Sequence, residues 1–442
     1  MKKAFSAVVS VVIVLCAMLS GCSVELRSID SLMRPPHTAT EAELKDSINK
    51  LLGNQISYRS PESGENHSAI ILRDINGDET EEAIVFYVKN DDTSVVRMCV
   101  LTRSGEKWLL VSDFAGNGSG VLNVDFVDLN NDNDEEILVT WFLFDDKSQK
   151  MLSVYTADTD DQVLNVSTRI SEPYSIMAVT DVYGAGNKQL IIAYSNSTRV
   201  TDRTTLKLIG VSEGDEILLI NEMNLDSRIL SLLSIASDIP SGSTTPRLYI
   251  DAQVSDGQCI TQVLTWNTEQ RKFLSLINDI AEPDMTLRSS NLLCKDIDDD
   301  GIIEIPLRKP MSESINSDTS LGYVLEWCEI NNSKLVPQEY YVVNLIENYT
   351  LYYPKEWKDK IFVKSNISTR TWDFVDMNES VLFSIIACNF EDWDETDSGA
   401  TEMLMMQNDT VYFCRITAAG EERRITAADL LEYFSININS QG

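Results

Sequence analysis

Histidine is nearly absent from this 442-residue chain, which has only His37 and His67. A serine or cysteine nucleophile that needs an imidazole as its base therefore has little to work with. None of the eight cysteines form a Cys-x-x-Cys pair, so the usual zinc and redox spacings are missing. There is no Gly-x-x-x-x-Gly-Lys-Ser/Thr loop to cradle a phosphate, and Gly118-Ser119-Gly120 lacks the glycine that a nucleophile elbow places two before its serine. Positive charge is scarce: 36 Lys and Arg stand against 69 Asp and Glu, a formal net charge of −33. Such a surface repels nucleic acid and anionic membranes, and no nucleic-acid partner is expected. Enzyme activity is not expected either, although a glycoside hydrolase needs only two carboxylates and survives these exclusions.

The apolar stretch from Val8 to Met18 is too short to span a bilayer and follows Lys2 and Lys3. It ends in Leu19-Ser20-Gly21-Cys22, which resembles a bacterial lipobox. The resemblance implies a lipoprotein signal peptide over 1–21, lipid on Cys22, a lipidated tether over 22–38, and a place on the outer face of the cytoplasmic membrane. A plain secretory peptide with an incidental cysteine is the alternative. Loss of residues 1–21 removes two lysines and moves the charge from −33 to −35. With Cys16 in the signal and Cys22 lipidated, Cys99, Cys259, Cys294, Cys328, Cys388 and Cys414 remain, all in or beside apolar runs. They read as small buried fillers, with Cys388 and Cys414 as possible cross-strand neighbours.

Three acidic nonapeptides are the feature the chain does have. They are Asp74-Ile-Asn76-Gly-Asp78-Glu-Thr-Glu-Glu82, Asp128-Leu-Asn130-Asn-Asp132-Asn-Asp-Glu-Glu136 and Asp296-Ile-Asp298-Asp-Asp300-Gly-Ile-Ile-Glu304. Each carries oxygen side chains at positions 1, 3, 5 and 9, a spacing that lets a tight turn fold them around a hard cation. Turn preference alone also enriches Asp, Asn and Gly, so a plain hairpin turn is the competing reading. Side-chain charge of −3, −3 and −4 ranks the last turn as the tightest calcium site. Short loops suit an affinity of about 10⁻⁴ to 10⁻³ M and a structural role.

Asp74, Asp128 and Asp181 stand 54 and 53 residues apart, and the third copy keeps its flanking apolar runs but puts Tyr183, Ala185 and Gln189 at positions 3, 5 and 9. A fourth, more worn unit fits around Leu233–Ser237 and Arg247–Ile250. Five repeats of about 55 residues, each read as four short strands, predict a mainly β fold: a five-bladed β-propeller over 66–344. Before it, residues 39–65 give a helix and a lead-in strand. Thr40 and Glu43 form a capping box, Ala42, Leu44, Ile48, Leu51 and Leu52 line one face, and Gly53 stops the helix. A small C-terminal α+β domain is expected over 345–442, ending in an amphipathic helix behind Thr426. Trp108, Trp141, Trp266 and Trp327 read as packing between blades, and Trp393 as exposed.

The turn Asp-x-Asn/Asp-x-Asp-x-x-x-Glu between two strands resembles the FG-GAP/VCBS type of repeat, and the layout is similar to uncharacterised Gram-positive lipoproteins. The resemblance covers about 275 residues and lacks the literal Phe-Gly and Gly-Ala-Pro signatures. It implies structural Ca2+ at Asp74, Asn76, Asp78 and Glu82, at Asp128, Asn130, Asp132 and Glu136, and at Asp296, Asp298, Asp300 and Glu304. The expected function is a lipid-anchored binding or scaffolding module that meets an envelope protein or a cell-wall glycan. A carbohydrate-active hydrolase with a carboxylate pair in a propeller channel, and an accessory or sensor subunit of an envelope complex, are the alternatives.

Overall fold

The computed structural model of the chain describes residues 39–143, 146–160, 163–195, 203–212, 216–277, 284–289, 291–309, 322–392 and 402–436. The export segment, Cys22, the tether and Trp393 lie outside these residues. The chain is mainly β, laid out as antiparallel sheets that follow one another in sequence. The first sheet contains Ile70–Arg73, Glu82–Lys89, Asp92–Ser104 and Lys107–Ala115. The second contains Gly120–Val127, Glu136–Leu143, Asp146–Asp160 and Val163–Tyr174. The third contains Ile176–Thr180, Gln189–Tyr194, Thr205–Val211 and Ile217–Asn224. The fourth contains Ser231–Asp238, Arg247–Ser255, Gln258–Asn267 and Lys272–Ser275, with Arg288–Ser289 added to its third strand.

The second strands of the first two sheets read as near-continuous apolar runs, Ala83-Ile-Val-Phe-Tyr-Val88 and Ile137-Leu-Val-Thr-Trp-Phe142, because they are buried on both faces. Those two faces belong to different cores. Phe86, Met98 and Val121 meet Val139 and Trp141 between the first and second sheets, with the Phe86 and Trp141 rings 6.0 Å apart. Leu138 and Val154 on the opposite face of the second sheet meet Leu190 and Ile192 of the third. Trp141, Trp108, Trp266 and Trp327 are all buried, as core packing requires. The link between the first two sheets passes so close to Phe142 that a Cβ on Gly120 would lie 2.0 Å from its ring.

The count and closure differ from the five-bladed expectation: there are six sheets, and no ring is found among the described residues. The fifth sheet holds Ile305–Lys309, Gly322–Asn331, Lys334–Asn344 and Tyr349–Tyr352, and Phe434–Ile436 returns from the far end of the chain to extend it. The sixth holds Ile361–Asn366, Thr371–Asp376, Val381–Asn389, Thr410–Ile416 and Glu402–Gln407, with short helices Ala418–Glu422 and Ala427–Tyr433 beside it. The fifth sheet shows why the row does not curl further. Ile305, Leu307 and Cys328 face the fourth sheet, while Tyr340, Val342 and Leu351, on the same side by register, face the sixth. Two neighbours therefore share one face, where a propeller blade offers each neighbour its own.

The start of the row is closed by the helix Ala39–Leu52. Its Leu44 and Ile48 are buried against Ala83, Val85, Tyr87 and Trp108 of the first sheet, each side chain gaining about 2 kcal/mol from leaving water. Leu51, expected on the apolar face, turns outward instead, and Gly53 ends the helix at φ +90°. The lead-in strand Ile56–Tyr58 pairs with Glu82–Lys89, so it extends the first sheet and is not lent to the last. Cys388 opposes Val411 and Cys414 opposes Ile385, so these two cysteines are not cross-strand neighbours. No described helix is long and apolar enough to cross a membrane.

Candidate metal-binding turns

The first two nonapeptides join the first strand of their sheet to the second, while the last lies between Lys295, bridged to Glu304, and the strand Ile305–Lys309; all three backbones follow one plan. Position 1 accepts two amides of the turn: Asp74 from Asp78 and Glu79, Asp128 from Asn131 and Asn133, Asp296 from Asp300 and Gly301. Position 5 accepts the amide two residues on, Thr80, Asp134 and Ile302 in turn. Positions 4 and 6 are left-handed, at Gly77 and Glu79, Asn131 and Asn133, Asp299 and Gly301. That conformation favours Gly, Asn and Asp, so part of the composition answers to backbone geometry.

Position 9 is buried and reaches back across the turn. Glu82, Glu136 and Glu304 accept the amides of Ile75, Leu129 and Ile297 at 3.3, 2.9 and 3.0 Å. The third turn has lost its acids at positions 5 and 9 yet keeps this plan: Asp181 accepts from Ala185 and Gly186, and the Gln189 amide oxygen accepts from Val182 at 2.8 Å. A neutral side chain thus fills the structural place of the glutamate. Replacing Gln189 with leucine strands a buried amide and is expected to cost about 1–3 kcal/mol in urea unfolding.

The fourth turn lies in the worn unit read around Leu233–Ser237 and Arg247–Ile250, and its own position 9 was not assigned from the sequence. Arg247 begins the second strand and pairs in register with Asp238, at the place where Glu82 pairs with Arg73 and Gln189 with Thr180. A guanidinium stands where the other turns have Glu or Gln, and it grips Asp238 at 2.5 Å while donating to the Ile330 carbonyl. Asp238 also accepts the amide of Ile303, inside the last acidic turn. The available signal was the short apolar run Leu248-Tyr-Ile250 at the start of the second strand, which aligns Arg247 with position 9.

The first two turns touch each other, and so do the last three. The Glu135 amide donates to the Ile75 carbonyl, Arg73 pairs with Glu135 at 2.5 Å, and Gly184 lies against Thr244. The sites differ within this common frame. In the last turn the ligand atoms of Asp296, Asp298 and Glu304 lie within 4.8 Å of one another, which marks it out as a metal-compatible set among the described residues. The Oε1 atom of Glu304 is buried without a hydrogen-bond partner, and so is Oδ1 of Asn76 in the first turn. Burial raises the Glu304 carboxyl to about 7; the Ile297 amide opposes the shift, and Asp298, Asp300 and Asp296 add to it. Glu82 is raised as well, first by burial, but both its oxygens have donors, Ile75 N–H and Thr102 Oγ1. Asp300 is not part of the close set; its Oδ1 is committed to the Ile302 amide. An oxygen-liganded cation such as Ca2+ fits the orphaned Glu304 oxygen and its two acidic neighbours.

These features define a mainly β protein of stacked antiparallel sheets with acidic turns. No protein-family model and no curated protein matches the chain. Solved structures with some likeness include a hypothetical selenium-binding protein from Sulfolobus tokodaii, at 9% identity and TM-score 0.29, covering 49% of this chain and 57% of that one. An exotype rhamnogalacturonan lyase matches at 7% identity and TM-score 0.31 over 72% of this chain and 81% of its own. A rhamnogalacturonan lyase from Bacillus licheniformis matches at 8% and 0.31, over 80% and 90%. At such scores the likeness carries no argument about function.

Proposed function

We propose that this chain is a lipid-anchored envelope protein in which Ca2+ stiffens the turns of a row of propeller-like sheets, making the row a binding or scaffolding module. The observation that carries the metal part is the Glu304 oxygen, buried and without a donor beside Asp296 and Asp298. A bound divalent ion would supply positive charge where three carboxylates converge and replace a costly unpaired polar atom with a ligand bond. In this reading the FG-GAP/VCBS-type turns are structural sites, and the protein acts through its surfaces toward an envelope protein or a cell-wall glycan. The anchor rests on the Leu19-Ser20-Gly21-Cys22 sequence.

The test is thermal unfolding in EDTA and then in rising calcium, for the natural chain and for Asp296→Ala. With an affinity in the extracellular-module range, about 10 mM calcium is expected to add on the order of 1–3 kcal/mol per site, a shift of a few degrees that Asp296→Ala reduces. An unchanged melting temperature across the whole titration would leave the nonapeptides as turns only. Mass spectrometry of the membrane-extracted protein tests the anchor, since lipid on Cys22 requires loss of residues 1–21 and the added mass of acyl chains.

A further inference from the structure

The fifth and sixth sheets do not close on each other completely. Where they part, a cleft of about 150 Å³ remains, floored by Val324, Val342 and Tyr353 and walled by Ile361, Phe362 and Val363. This is an apolar space of the size that an engineered core cavity offers to a benzene ring. Its mouth carries Lys309, Lys358, Glu326 and Asp359. Two ammonium groups on one small cleft are unusual in a chain with 36 basic against 69 acidic residues.

The polar groups divide into a fixed part and a free part. Lys358 donates to the Tyr340 hydroxyl at 3.1 Å and to Glu326 at 3.4 Å, and its ammonium lies 4.7 Å from the centre of the Tyr340 ring. Burial pulls its pKa down, but the Tyr340 bond and Glu326 outweigh that and leave it raised, so the group stays charged. Tyr353 is committed as well, its hydroxyl lying 2.7 Å from both the Trp357 and the Ile361 carbonyls and sharing its one proton between them, which fixes the floor. Lys309 is exposed and has no ion pair among the described residues. An apolar body thus has a rigid lined space, and one cation at the mouth is left to meet an anionic group.

We propose that this cleft is a binding site for a small monocarboxylate with a compact aromatic or branched aliphatic body, the carboxylate at Lys309 and Lys358 and the body between Val324, Val342 and Phe362. The site is separate from the acidic turns, so it stands or falls independently of the calcium reading. Glu326 holds Lys358 in place, and together with Asp359 at the same mouth it repels a second negative charge, which favours monoanions over dianions.

The test is a ligand-observed fluorine NMR titration of the purified protein with 4-fluorobenzoate, beside 4-fluorobenzamide as the uncharged analogue. Saturable binding of the acid is expected, with the amide and the Lys309→Glu variant each weaker by about tenfold or more, the size of one good ionic contact. Lys309 is exposed, so this variant does not put folding at risk; Val324→Phe, which fills the cleft, is expected to abolish binding, with its melting curve recorded alongside. No saturation at millimolar acid, equal binding of acid and amide, or undiminished binding by Lys309→Glu would each overturn the assignment.

Discussion

Replacing Asp251 with alanine is expected to destabilise the protein by about 3–5 kcal/mol, because it leaves Arg288 charged and unpaired in the interior. The Arg288 and Asp251 side chains are 0% and 1% exposed, with Nη2 and Oδ1 2.6 Å apart. Desolvating two ions costs several kcal/mol each, and the cost is offset only when the remaining lone pairs and protons are also satisfied. Here they are. Asp251 accepts from Thr261, Ser234, the Cys294 thiol and the Cys294 amide, while Arg288 donates to the Leu292 and Thr286 carbonyls. The Cys294 thiol in this cluster is pushed far up, by burial first and by Asp251 second, and stays neutral.

Urea unfolding of Asp251→Ala, Arg288→Ala and the double variant measures the coupling. The double variant is expected to cost clearly less than the sum, since removing both ions leaves no buried unpaired charge. A single variant within about 1 kcal/mol of the natural protein would show that the segment around Arg288 rearranges to admit water, and the account would fail. The position of the pair gives it a second consequence. Cys294 lies two residues before Asp296, so the cluster also fixes where the last acidic turn leaves the fourth sheet.

Sequence made the repeating turn legible because its parts are each demanded by something local. An acceptor at position 1, left-handed residues at 4 and 6, and a reaching side chain at 9 recur together in a fixed order. What it could not apportion was the purpose of the acids. Gln189 performs the backbone duty of the glutamate without charge, so acidity at position 9 is more than the turn needs, whereas Asp181 shows that acidity at position 1 is needed even where positions 5 and 9 have lost their acids. The sixth sheet was readable as strands but not as another member of the row. Its first hairpin turns through Ile367-Ser-Thr-Arg370 with no acidic signature, and the helices at 418–433 suggested a separate fold. Asp251 and Arg288 are 37 residues apart in sequence, and nothing local to either announces that they meet.

The Glu304 carboxyl should make the metal-free protein lose stability as pH rises, and calcium should reverse the trend. Its folded pKa of about 7 lies above the ordinary 4.5, so between those values the folded state holds a proton that the unfolded chain has released. The resulting stabilisation is fully present below about pH 4.5 and is lost as pH rises through about 7. Other groups also titrate in this range, so the quantity to measure is the difference between the natural protein and Glu304→Gln in EDTA, taken from pH 5 to 8. Gln189 shows that a glutamine at position 9 can hold the turn's amide, so the variant should fold. Its stability relative to the natural protein should rise with pH in EDTA. In calcium the order inverts, because the ionised carboxylate gains a ligand bond that the amide cannot match in charge, and binding below pH 7 should release a proton. Parallel pH curves for the two proteins in EDTA would mean that Glu304 is ionised and solvated in the folded state, and the case for a cation at Asp296, Asp298 and Glu304 would lose its main support.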